Sequence, residues 1–118
     1  SLTAALDERV RAAAIYGYSN TYLSSILARR HCLDNYLPGI LRHAEMPELL
    51  ALVAPRPLFI ESGNQDHLFP ESGVREALRR LAEIYREMDA LERLDYDIFP
   101  GGHEMNGRRS FDWLQSVL

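Results

Sequence analysis

The segment from Leu58 to Met88 constrains the fold most. Leu58-Phe59-Ile60 is a continuous apolar burst that follows Pro57, runs to Glu61 and ends at Ser62-Gly63. It is too short for a helix and suits a strand covered on both faces. Pro70 to Met88 then carries Val74, Leu78, Leu81, Tyr85 and Met88 at steps of four, three, four and three, with Arg75, Glu76, Arg79, Arg80, Glu83 and Glu87 mostly outside that stripe. This is an amphipathic helix with Pro70 suited to its first position. A buried strand feeding a long amphipathic helix predicts a parallel sheet with helical crossovers.

The flanking segments extend that pattern. Ser1 to Leu6, "SLTAAL", reads as helix, with little before it to serve as a cap; the expectation is a chain that starts inside a helix. Val10 to Tyr16 reads as a short buried strand ending at Gly17, and Thr21 to Arg30 as a helix with Leu23, Ile26 and Leu27 on its stripe. His31 to His43, broken by Pro38-Gly39, reads as loop plus short helix. Glu45 to Val53 reads as a helix with Met46, Leu49, Leu50 and Val53 on one face, stopped by Ala54-Pro55-Arg56-Pro57. Leu94, Tyr96 and Ile98 alternate with Asp95 and Asp97, predicting a half-exposed strand ended by Pro100-Gly101-Gly102. Phe111 to Leu118 predicts a last helix with Phe111, Leu114 and Leu118 on a common face. The fold class is therefore α/β, with about three parallel strands and flanking helices in one domain over residues 1–118. Three strands are few for a doubly wound sheet, which implies missing material.

Composition narrows the function. With 118 residues, 47% of them hydrophobic, the chain can build a real core. A net charge of −4 argues against a nucleic-acid surface. The pairs Arg29-Arg30, Arg79-Arg80 and Arg108-Arg109 read as solvated helix faces. Cys32 is the single cysteine, so no internal disulfide is expected; it reads as a small packed residue. His31 beside it has no companion at metal-ligand spacing, and neither a metal nor an organic cofactor is expected. No run approaches the ~20 apolar residues of a membrane span, and no signal peptide opens the chain, so the expectation is a cytoplasmic protein without membrane contact.

Chemistry in an open α/β sheet gathers beyond the carboxyl ends of its strands. Two loops there carry catalytic residue types: "SGNQDHLFP" with Asp66 after the second strand, and "GGHEMNG" with His103 after the third. Alone, Asp66 is a turn or capping residue and His103 a loop residue. Together, in the order acid then base, they match the second and third members of a hydrolase triad, in which a carboxylate orients an imidazole and the imidazole takes a proton from a nucleophile.

"APRPLFIESGNQDHLFP" followed by "FPGGHEMNGRRSFDWL" resembles the C-terminal half of an α/β-hydrolase. More narrowly it resembles the dienelactone-hydrolase-like and acetyl-xylan-esterase-like group, which "ALDERVRAAAIYGY" and "HCLDNYLPGILRHAEMPELLALVAPRPL" also fit. The resemblance implies Asp66 as triad acid and His103 as triad base in a carboxylesterase acting on a small-molecule ester. It also implies that the nucleophile elbow, the oxyanion loop and the N-terminal strands lie upstream of Ser1, so that the chain alone is inactive.

Ser19 is the internal rival. Gly17-Tyr18-Ser19-Asn20-Thr21 is one residue short of G-x-S-x-G, and Ser19, Asp66 and His103 stand in the right order. Against it, Thr21 replaces the final glycine with a β-branched residue. Residues 22 to 53 also offer no further strand, and by the resemblance the strand ending at Tyr16 follows the nucleophile helix. Ser19 and Asn20 are expected to cap the next helix. A reading of another class is a non-catalytic module that self-associates through an exposed sheet edge or apolar face.

Overall fold

A computed structural model describes all residues, Ser1–Leu118. The regular elements are α1 (Leu2–Leu6), β1 (Ala13–Tyr16), α2 (Met46–Ala51), β2 (Leu58–Gly63), α3 (Glu71–Glu87), β3 (Leu94–Phe99) and α4 (Ser110–Val117). Single 3-10 turns occupy Leu33–Asn35, Ile40–Arg42 and Leu91–Arg93. The strands form one sheet in the order β1-β2-β3, and both pairings are parallel. Tyr16 lies opposite Glu61, and Glu61 opposite Asp97, so one rung crosses all three strands.

Successive side chains of a strand face opposite sides. Ala13, Ile15, Leu58 and Ile60 join Val74, Leu81 and Tyr85 of α3 and Met46 and Leu50 of α2 in the main core. On the opposite face, Phe59 is fully buried and packs its ring against Trp113 of α4 at 5.3 Å. Every residue of β2 is buried, as expected for a central strand between two helical layers. Burying Phe59 contributes about 1.5–3 kcal/mol.

α2 is defined by its ends. Glu45 and Glu48 form a reciprocal capping box, each carboxylate accepting the other end's backbone N–H. Arg56, inside the Pro55–Pro57 stop, donates to the carbonyls of Val53, Asp7 and Val10, tying the end of α2 to the segment entering β1.

Several expectations fail locally. Thr21 to Arg30 is a run of turns, not a helix. Its amide hydrogen bonds change register, from Ser25 to Thr21, then Leu27 to Tyr22, then Ala28 to Ser25. Tertiary acceptors compete: the Glu45 carboxylate takes the N–H groups of Tyr22 and Leu23, and Ser25 Oγ donates to the Leu68 carbonyl. Asn20 and Thr21 cap the turn through Thr21 N–H and Ser24 N–H, and Ser19 caps nothing.

In β3 the burial departs from the sequence pattern at its middle: Asp97 is buried and Tyr96 is exposed, while Leu94 and Ile98 pack against the core as expected. The cause is Arg108, whose guanidinium makes two 2.6 Å hydrogen bonds to the Asp97 carboxylate. The Arg108-Arg109 pair is thus a tether rather than a solvated helix face, since Arg109 also binds Asp95 at 2.9 Å. In α4 the half-buried side chains are Trp113, Leu114 and Val117, while Phe111 and Leu118 stay exposed. Ser110, buried and hydrogen bonded at the helix start, sets that rotation. Cys32, expected to be packed, is exposed.

Candidate active site

Asp66 and His103 leave adjacent parallel strands at the same edge of the sheet. The two loops continue the β2–β3 ladder beyond the strands: Asn64 N–H donates to the Phe99 carbonyl at 2.9 Å, and Gln65 N–H to the Gly101 carbonyl at 2.8 Å. Gly63 makes this approach possible, because a Cβ there would overlap the carbonyl oxygens of Gly101 and Gly102. The closest approach falls at Gly63, the last residue of β2.

The Asp66 carboxylate has no exposed surface. Its Oδ1 accepts the N–H groups of Leu68 at 2.9 Å and Phe69 at 3.1 Å. Its Oδ2 lies 2.7 Å from His103 Nδ1. A carboxylate only accepts, so Nδ1 carries the proton in this contact, and Nε2 of the neutral ring keeps its lone pair. The imidazole is 44% exposed, and Nε2 has no protein partner. A buried carboxylate thus fixes tautomer and ring orientation while Nε2 stays accessible.

Two further contacts hold the ring. Phe69 stacks on it, with centroids 5.6 Å apart and planes 14° apart. Gly17, at φ +57°, lies beneath it: a Cβ on Gly17 would stand 3.1 Å from His103 Cε1. An open cleft of about 490 Å³ adjoins the imidazole, lined by Tyr16, Tyr18, Arg30, His31 and Leu68 among others. Burial, and then the charge of Asp34, push the Tyr18 phenol above its ordinary value, so it is a neutral hydrogen-bond donor at this wall. His31 sets its ring edge-on against Phe69 at 5.3 Å and meets Ser25 Oγ at 3.2 Å. Ser25 gives its one proton to the Leu68 carbonyl, so His31 Nε2 is the donor in that contact.

Ser19 stands apart from this arrangement. It is buried, its Oγ has no hydrogen-bond partner, and it does not line the cleft beside His103.

No family model matches the chain. Over 93 residues, 76% of its length, it is 29% identical to the protein named "Putative hydrolase YtaP" of Bacillus subtilis (strain 168), of which it spans 31%. A carbohydrate esterase family 15 glucuronoyl esterase from Caldicellulosiruptor kristjansonii matches at TM-score 0.71 and 16% identity, over 94% of this chain and 37% of that one. The fold is the C-terminal portion of an α/β-hydrolase. A promiscuous esterase of the same family from the marine bacterial metagenome gives TM-score 0.63 and 18% identity, over 98% of this chain and 36% of that one. A glucuronoyl esterase from Solibacter usitatus gives 0.63 and 16%, over 97% and 36%. At such identities the likeness is one of fold. The chain spans about a third of the length of these proteins.

Several residues around His103 are not marked by the sequence pattern. In the sequence Gly17 stands out only as the first residue of the near-elbow, and nothing marks Phe69. Glu61 had a visible signal: it is the one charged residue in a strand predicted to be covered on both faces, where a charge must find partners. No helix of the chain is long and apolar enough to cross a membrane.

Proposed function

We propose that this chain is the C-terminal part of a serine hydrolase of carboxylesterase type, with Asp66 as triad acid and His103 as triad base. The nucleophilic serine belongs to sequence upstream of Ser1, and residues 1–118 alone are inactive. The supporting observation is the 2.7 Å contact between His103 Nδ1 and buried Asp66 Oδ2, with Nε2 left without a protein partner beside an open cleft.

In this reading Nε2 takes the proton from the serine hydroxyl as its oxygen bonds to the ester carbonyl carbon. The imidazolium formed is held by Asp66 and returns the proton to the departing alcohol oxygen. Water then enters by the same route, giving its proton to Nε2 as its oxygen bonds to the acyl carbon; Nε2 passes that proton to the serine oxygen as it leaves, which restores the serine and releases the acid. The substrate is a small-molecule ester, and the cycle draws on no cofactor.

The test uses the full reading frame that encodes these residues. Its product should turn over p-nitrophenyl acetate and label with a fluorophosphonate at a serine outside residues 1–118. His103→Ala should abolish turnover. The 118-residue chain alone should not label. Labelling of that chain, lost in Ser19→Ala, overturns the proposal, as does full turnover by His103→Ala.

A second reading, a non-catalytic self-associating module, draws on the exposed apolar residues Leu6, Phe111 and Leu118 and on β1 and β3 as unpaired sheet edges. Light scattering tests it: a dimer or larger species without labelling favours this reading, and a monomer removes it.

A further inference from the structure

Glu61 is buried in the central strand, 1% exposed, and its carboxylate makes no hydrogen bond or ion pair with Arg, Lys or His. An apolar residue in a strand covered on both faces would carry no such desolvation cost. All the partners of the Glu61 carboxylate lie in one short segment. Oε1 accepts the N–H of Asn106 at 2.7 Å and of Gly107 at 3.0 Å, and Oε2 accepts the N–H of Gly107 at 3.0 Å and the Ser110 hydroxyl at 3.2 Å.

The neighbours of Glu61 on its rung grip the same segment. Tyr16 OH donates to Ser110 Oγ at 2.9 Å, and Asp97 holds Arg108. Residues 106–110 are therefore clamped to the sheet by one polar row contributed by all three strands. On the other side, Gly101 is fixed by Gln65 N–H. His103 lies in the short span between these two anchors, and the exposed residues Glu104 and Met105 make no hydrogen bond to the strands.

We propose that Glu61 is a positioning residue for His103: by holding the backbone of Asn106 and Gly107 it fixes the far end of the loop and keeps the imidazole in register with Asp66. Glu61 does not touch the imidazole. The proposal rests on the acid–base reading of Asp66 and His103, but its test does not rely on activity.

The test is proton NMR of the 118-residue chain, following the downfield Nδ1–H resonance of His103 and its exchange with water. In the unsubstituted chain the resonance should be present and slowly exchanging. Glu61→Gln keeps one acceptor for the two backbone N–H groups and should speed exchange several-fold while retaining the signal. Glu61→Leu should lose the signal. Leu50→Ala, which weakens the core elsewhere, should leave the exchange as it was. An unchanged exchange rate in Glu61→Gln overturns the proposal even where Glu61→Leu fails to fold. Equal acceleration in Leu50→Ala overturns it too, because general loosening would then suffice. Absence of the resonance from the unsubstituted chain would instead remove the Asp66–His103 pair, and this proposal with it.

Discussion

Gly17 lies directly against the imidazole of His103: a Cβ added there would stand 3.1 Å from Cε1 and 3.2 Å from Nδ1. The contact joins the carboxyl end of β1 to a ring carried by the loop after β3, across the full width of the sheet. Together with the stacked ring of Phe69, it limits the orientations open to the imidazole.

Gly17→Ala tests that limit. Its φ of +57° is disfavoured for L residues by about 1–2 kcal/mol, and the new methyl presses on the ring. The variant should lose about that much stability in urea and shift the His103 ring resonances. Unshifted resonances would show that the imidazole is not held against Gly17.

Gly63→Ala acts on the loops rather than on the ring. The added Cβ meets backbone carbonyls of Gly101 and Gly102, which cannot rotate away as a side chain would. The two loops must part, at about 1–3 kcal/mol. The hydrogen bond from Gln65 N–H to the Gly101 carbonyl should open, and amide exchange at Gln65 should report it. Retained protection at Gln65 would contradict this account.

Phe59→Ala removes the main contact of the face opposite α3. A cost of about 3–5 kcal/mol is expected. Trp113 is the only tryptophan in the chain and packs on Phe59, so its emission should move to longer wavelength as water enters. An unmoved emission maximum would mean that α4 is held by other contacts.

The Asp97–Arg108 pair predicts a pH dependence of stability. The guanidinium of Arg108 holds the Asp97 carboxyl below its ordinary value of 3.8, first through their hydrogen bonds and then through charge, with a further share from Arg109. A carboxyl depressed in the folded state contributes fully above the unfolded value and loses that contribution as the pH falls through the folded value. The stability difference between the unsubstituted chain and Asp97→Asn should therefore be constant near neutrality and shrink as the pH drops below 3.8. Because Arg108 is half exposed, the neutral-pH difference should be about 1 kcal/mol. A difference independent of pH would remove the ion pair as its cause.

The sequence by itself determined the scaffold. The apolar burst at Leu58–Ile60, the stripe from Val74 to Tyr85 and the Pro-Gly breaks are local signals, and local backbone preference with apolar periodicity is enough to fix β2, α3 and the strand-helix order. The placement of Asp66 and His103 at strand ends was legible for the same reason. Tertiary structure decided where polar groups found partners. Thr21 to Arg30 carries a helical stripe, yet Glu45 and the Leu68 carbonyl, distant in sequence, take over its hydrogen bonds. Asp97 alternates like a solvent-facing residue, yet Arg108 comes back over it from the loop beyond. Glu61 reads as a flaw in a buried strand until residues 106–110 close on its carboxylate. Apolar burial is non-directional and follows from pattern, whereas a buried charge is stable only where specific donors meet it, and those donors are assembled only once the chain has folded.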